Sequence, residues 1–187
     1  MKVTRFPKRI FKKDSTLVLG SFESIHQGHL ELFKLAKSFK KPVTVMIIEN
    51  PSHLPVSTSE EYASLNVRLQ TLANLKIDNV ITVKFDNNIR LMKGYDFVKK
   101  IKEVANATQI VFGQDFKCGI GGAYKASDIA KDFPNSHVVT FKKYQDKKIS
   151  TSILKEMVHF GEVDMIKKIA VVPFTIDASV NSKHEFL

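Results

Sequence analysis

Residues 17–29 read LVLGSFESIHQGH. Leu17, Val18 and Leu19 suit a buried parallel strand, and Gly20 lets the backbone turn with no side chain in the way. From Gly28 onward Leu30, Leu32, Phe33, Leu35, Ala36 and Phe39 recur at roughly helical spacing, with lysines and Glu31 between them. The stretch therefore predicts strand, tight loop, helix. The first turn of such a helix carries unpaired N–H groups and the positive end of the helix dipole, a natural seat for a phosphate, and His26 and His29 flank it.

The same alternation continues outward. Pro42 stops the first helix, and VTVMII at 43–48 reads as a second buried strand. The loop 49–59 is polar and rich in proline and serine; Ser59, Glu60 and Glu61 predict the start of a helix with Leu65, Leu69, Leu72 and Leu75 on its inner face. A third strand at 80–85 precedes an amphipathic helix at 94–107, which turns Phe97, Val98, Ile101 and Val104 inward. A fourth strand at 110–112 runs into the glycine-rich GQDFKCGIGG of 113–122. A helix near 127–133, a strand near 137–141 and a basic loop at 142–148 follow. Ser150-Thr151-Ser152 then opens a helix that runs through His159 and is closed by Gly161.

This order predicts an α/β fold, a Rossmann-like doubly wound parallel sheet of about five strands. One domain is expected for residues 1–187, with its core at about 14–170. Ligands of such sheets bind beyond the carboxyl ends of the strands, so the breaks at Gly20, Gly113 and 150–152 should converge on one cleft.

Lys and Arg number 29 against 19 Asp and Glu, a net charge of +10, which favours anionic partners such as nucleotides, nucleic acid or acidic membrane surfaces. The lysines are scattered, at Lys8, Lys34, Lys76, Lys99, Lys125 and Lys147 among others, as solvated helix faces require, and this argues against a nucleic-acid arm. Cys118 is the single cysteine, so no intramolecular disulfide is expected and a reducing, cytoplasmic setting is the economical reading. No apolar run approaches the ~18 residues of a membrane span, so no membrane partner is expected.

Three readings of the histidine pair compete. A zinc site needs further ligands, and His53, His137, His159, His184 and Cys118 show no ligand spacing, so no metal ligand is assigned. A purely structural role leaves two polar rings at a helix start in need of partners. Phosphate binding needs neither, and suits a reaction without a general base, in which one phosphate attacks another and the protein aligns the two and neutralises charge. The hydroxyls at 150–152 can cap their helix or, with Lys147 and Lys148 before them, form a second phosphate site; the two roles are compatible.

Together these segments resemble the N-terminal adenylyltransferase domain of bacterial bifunctional riboflavin kinase/FAD synthetases, within the histidine-motif nucleotidyltransferase superfamily, over roughly residues 16–173. The motifs are Gly20, Phe22, Glu23 and Ser24 with His26-Gln27-Gly28-His29; Gly113 to Gly119 for GxDFxFG; and Ser150-Thr151-Ser152-Ile153-Leu154-Lys155 for a Ser-Ser-Thr-x-Ile-Arg run. The resemblance implies transfer of AMP from ATP to FMN, giving FAD and pyrophosphate with Mg²⁺. It implies catalytic roles for His26, His29 and Lys148, and ATP contacts from Gly20, Ser21, Phe22, Gly28, Gly113, Ser150, Thr151, Ser152 and Lys155. It places Glu23, Asn50, Asp115, Phe116 and Lys117 on the FMN side.

The chain departs from the pattern where Glu23-Ser24 stands for Asp-Gly, Lys155 for arginine, and Gly122 with Tyr124-Lys125 for an arginine and a Gly-Asp pair. Residues 171–187, with Pro173-Phe174-Thr175-Ile176, resemble the lead-in to the family's kinase barrel. Kinase activity is therefore not expected, and FMN would come from a separate riboflavin kinase. Two other readings stay open: an adenylyltransferase for a different phosphorylated acceptor, and a nucleotide-binding regulatory module whose catalysis has decayed.

Overall fold

The computed structural model describes residues 1–8, 13–55, 61–140, 142–145 and 147–171. Six strands form the central sheet: β1 (Lys2–Arg5), β2 (Ser15–Leu19), β3 (Val43–Ile48), β4 (Asn79–Val83), β5 (Ala107–Gly113) and, after the short ribbon β6 (Lys117–Cys118) and β7 (Tyr124–Lys125), β8 (Ser136–Val139). A second ribbon, β9 (Lys143–Tyr144) and β10 (Lys147–Lys148), stands apart. The sheet order is β1-β4-β3-β2-β5-β8, and every pairing within it is parallel.

The helices are α1 (Gln27–Ser38), α2 (Leu65–Asn74), α3 (Asn87–Arg90), α4 (Gly94–Ala105), α5 (Ala126–Asp132), α6 (Thr151–His159) and α7 (Val163–Ile169). They cover both faces of the sheet. Alternate strand residues sort between two cores: Leu17 and Leu19 pack with Phe97, Val98 and Ile101 of α4 and Ile129 of α5, whereas Val18 packs with Leu32, Phe33 and Ala36 of α1 and Leu72 of α2. A third cluster, Tyr62, Ala63, Ile149, Leu154, Ile166 and Ile169, ties α6 and α7 to the segment before α2.

Three sequence expectations change. The sheet has six strands rather than five, because Lys2–Arg5 adds an edge strand beside β4. Only Thr4 of its four residues is buried, so it has little apolar pattern to betray it. The second helix begins at Leu65, capped by Ser64 Oγ, which accepts from the Val67 N–H at 3.3 Å. Ser59 and Glu60 lie outside the described residues, and Tyr62 and Ala63 are drawn into the third cluster instead of a helical turn. The α7 helix after Gly161 is an addition, its Ile166 and Ile169 buried. The barrel-like segment at 173–176 also lies outside the described residues.

Successive crossovers carry the chain from β2 to β3 and β4 on one side, and β5 then pairs on the other side of β2. Where the winding reverses, neighbouring loops leave in opposite directions and open a crevice at the carboxyl ends of β2 and β5. Gly20 and Gly113 stand at those two ends.

Candidate active site

A cleft of about 510 Å³ opens at that crevice, within the usual range of small-molecule sites. Its lining holds fourteen of the predicted residues: Gly20, Ser21, Glu23, His26, Gly28, His29, Gly113, Asp115, Phe116, Lys117, Lys148, Ser150, Thr151 and Ser152. Phe22, Asn50 and Lys155 do not line it. Phe22 is fully buried at φ +48°, its ring stacked on Phe33 at 5.5 Å and tilted against His29 at 4.7 Å. Asn50 is held by the Phe85 backbone, donating to its carbonyl at 3.1 Å and accepting from its N–H at 2.8 Å.

His26 is the N-cap of α1 and His29 lies in its first turn. Their rings stack with centroids 3.6 Å apart and planes 13° from parallel. The His26 N–H donates to His29 Nδ1 at 3.3 Å, so the neutral His29 ring carries its proton on Nε2 and can donate from there. Burial pushes the His26 pKa down to about 4, with Lys148 adding to the effect while its own backbone and Asp115 oppose it. His29 is held well below its ordinary value by burial and by the neighbouring His26. Both rings are therefore neutral at pH 7, suited to donate hydrogen bonds and not to act as cations. His26 Nδ1 is buried with no hydrogen-bond partner among the described residues, as a ligand-binding atom would be.

Two glycines make room for this pair's surroundings. A Cβ on Gly28 would stand 3.1 Å from the His26 ring, and a Cβ on Gly20 would stand 2.5 Å from the Phe22 ring. Gly20 thus allows Phe22 to fold beneath His29, which gives the motif phenylalanine a supporting position.

The start of α6 also lines the cleft. Ser150 caps it, its Oγ accepting from the Ile153 N–H at 3.4 Å, and Thr151 and Ser152 occupy the first turn. Lys148 reaches across from β10 and pairs with Asp115 of the glycine-rich loop. That loop is pinned from below: Gly119, at φ +77°, rests so closely on Gly94 that a Cβ would lie 2.5 Å from the Gly94 nitrogen.

The cleft also has an apolar lining, from Met46, Ile48, Leu54, Phe85, Ile89, Phe97 and Phe116. Sequence reading missed most of this wall, because Met46, Ile48 and Phe97 look like any core residue of a strand or helix. It also missed Lys142, which lines the cleft and pairs with Glu31 at 3.5 Å. Arg68 is a further omission. Only 1% exposed, it donates to the carbonyls of Ile48 at 2.6 Å and Glu49 at 2.9 Å, and so anchors the end of β3 that forms the apolar wall. An arginine within an amphipathic helix ordinarily reads as a solvated position.

Across residues 8–153 the chain matches the sequence model of FAD synthetase. The chain belongs to the FAD synthetase family. It is 22% identical over 166 residues to a putative bifunctional riboflavin kinase/FMN adenylyltransferase of Geobacillus thermodenitrificans, covering 87% of this chain and 92% of the relative. Two longer bifunctional relatives are spanned over 57% and 60% of their lengths. A phosphopantetheine adenylyltransferase of Clostridium novyi is 28% identical, over 76% of this chain and 81% of its own. Among solved structures, one described as a macrolide-efflux protein from Streptococcus pneumoniae superposes with a TM-score of 0.83 at 21% identity, covering 96% of this chain and 63% of that one. That likeness concerns the fold.

As a member of the FAD synthetase family the chain is an adenylyltransferase. No described helix is long and apolar enough to cross a membrane, and no group of three or more His, Cys, Asp or Glu among the described residues could hold a metal ion.

Proposed function

We propose that this FAD synthetase family member transfers AMP from MgATP to the phosphate of FMN, giving FAD and pyrophosphate. The observation that carries the reading is one cleft lined both by hydroxyls, histidines and a lysine and by apolar side chains such as Met46, Ile48, Phe85, Phe97 and Phe116. Gly113, Asp115, Lys117 and Gly119 of the glycine-rich loop line the same cleft.

In this reading an ionised FMN phosphate oxygen attacks the α-phosphorus of ATP, a new P–O bond forms, and the bond to the β-phosphate oxygen breaks. The nucleophile is already deprotonated at pH 7, so no general base is needed. His29 Nε2–H and the His26 ring donate to α-phosphate oxygens. Lys148 and the first turn of α6 hold the leaving pyrophosphate, supported by the helix N-terminus. Magnesium would arrive as part of the MgATP substrate, since hard cations of this kind are commonly held by substrate phosphates and water.

Riboflavin phosphorylation is not proposed for these 187 residues. FMN is taken as a substrate delivered by a riboflavin kinase, and the setting as cytoplasmic. A second acceptor has a specific observation behind it: the similarity to a phosphopantetheine adenylyltransferase, together with Gly122 of the glycine-rich loop and Tyr124 and Lys125 of β7. The test is incubation with MgATP and either FMN or 4′-phosphopantetheine, with chromatography of the products. FAD and pyrophosphate from FMN, abolished by His29→Ala, are expected; product only from phosphopantetheine would replace the acceptor, and tight ATP binding without product from either would favour a regulatory module.

A further inference from the structure

Two adjacent residues of the loop before α1, Glu23 and Ser24, grip two residues one turn apart on α6. Ser24 Oγ lies 2.8 Å from Thr151 Oγ1. Lys155 Nζ pairs with Glu23 Oε1, and the Glu23 carboxylate also accepts from the Tyr62 N–H at 3.3 Å. Thr151 and Lys155 are four residues apart and share a helix face. Both contacts are shielded: Ser24 is fully buried, Glu23 is 7% exposed, and the Lys155 side chain retains only 17% of its exposure.

These contacts join two helix starts that both contribute to the lining of the cleft. The loop ends in His26, the N-cap of α1; α6 begins at Thr151 behind its Ser150 cap. Lys155 does not line the cleft, whereas Lys148 does. A cation outside the cleft lining and turned onto a buried carboxylate is poorly placed for nucleotide phosphates, and breaking the pair would leave Glu23 charged in a poorly solvated site.

We propose that Glu23 and Lys155 are a positioning pair, which fixes the spacing of the two phosphate-binding helix starts and holds Lys155 off the nucleotide. The inference rests on the adenylyltransferase reading of the cleft. In-line transfer tolerates little error in the distance between attacking and leaving groups, so the spacing of the walls is where a shielded ion pair gains its effect on the reaction. The geometry accounts for the paired nature of the two departures. The carboxylate is one methylene longer than aspartate and the cation shorter than arginine, so their combined reach is kept.

The test is a double-mutant cycle on MgATP affinity by titration calorimetry, with Glu23→Gln, Lys155→Met and the two combined. Each single change weakens MgATP binding by about ten-fold, and the combination is no weaker than either, because one shared interaction has been removed. Glu23→Asp with Lys155→Arg restores affinity to within about three-fold of wild type, since the shorter carboxylate and longer cation span the same gap. Val104→Ala, in the core of α4 away from the cleft, lowers the melting temperature and leaves MgATP affinity unchanged, which separates positioning from general loosening.

Loss of affinity in Lys155→Met with none in Glu23→Gln would make Lys155 a phosphate ligand and overturn the proposal. Losses that multiply in the combined variant would overturn it as well. FAD formation by the wild type is scored separately: an intact cycle without FAD leaves the pair standing and removes the acceptor, whereas FAD formation with a failed cycle removes the pair. Wild-type protein that binds no MgATP overturns both.

Discussion

The His26 and His29 rings stack 3.6 Å apart, and the backbone N–H of His26 donates to His29 Nδ1. A proton on either ring would place a charge against its neighbour in a buried site, so the pair resists protonation, and this resistance has a consequence for stability.

Unfolded histidines titrate near 6.5, whereas folded His26 does so at about 4 and His29 well below its ordinary value. Between these limits the unfolded chain binds more protons, so stability rises with pH there. Above 6.5 this contribution is constant; as pH falls from 6.5 towards 4 it costs about 1.4 kcal/mol per pH unit for each ring held neutral. Thermal melts from pH 7.5 to 4.5 are expected to show a falling Tm, with a shallower slope in His26→Asn. A Tm independent of pH over that range would contradict the buried, neutral pair.

Arg68 satisfies the carbonyls of Ile48 and Glu49 and also donates to the Ser64 carbonyl at 3.3 Å. Arg68→Met leaves these groups unpaired in a buried site. We expect a loss of about 3 kcal/mol by denaturant unfolding, with Arg68→Lys intermediate because a point charge cannot serve divergent carbonyls. A loss below about 1 kcal/mol would show that water or rearrangement replaces the guanidinium.

Gly94 and Gly119 press backbone on backbone, and a Cβ on Gly94 would stand 2.1 Å from Tyr124 Cβ. Gly94→Ala and Gly119→Ala should each cost about 2–4 kcal/mol, the second through its positive φ as well. Because Gly119 seats the loop that carries Asp115 and Lys117, its substitution should also weaken acceptor binding more than ATP binding, measured as separate KM values.

Lys148 shares its charge with Asp115 at a partly exposed position, where an ion pair contributes little to stability. Lys148→Met is expected to lower kcat by about a hundred-fold with Tm nearly unchanged, as loss of a transition-state contact does. Asp115→Asn, which removes this carboxylate partner of Lys148, should tighten MgATP binding a few-fold. Equal activity in Lys148→Met and wild type would remove Lys148 from the reaction.

The strand–loop–helix of residues 17–29, the parallel winding and the convergence of Gly20, Gly113 and 150–152 were legible because each rests on local pattern: apolar runs of strand length, helical periodicity, and glycine or hydroxyl residues at breaks. Lys2–Arg5 was not, since an edge strand with one buried residue is defined by its neighbour and not by its own composition. The motif residues could be named from the chain alone. Their partners could not: that Phe22 packs against His29, that Asn50 belongs to Phe85, and that Glu23 and Lys155, 132 residues apart in the numbering of the chain, form an ion pair. Residue type and spacing determine which chemistry is available along a helix or strand; which groups meet to use it depends on long-range packing, where burial first forces polar side chains to find partners.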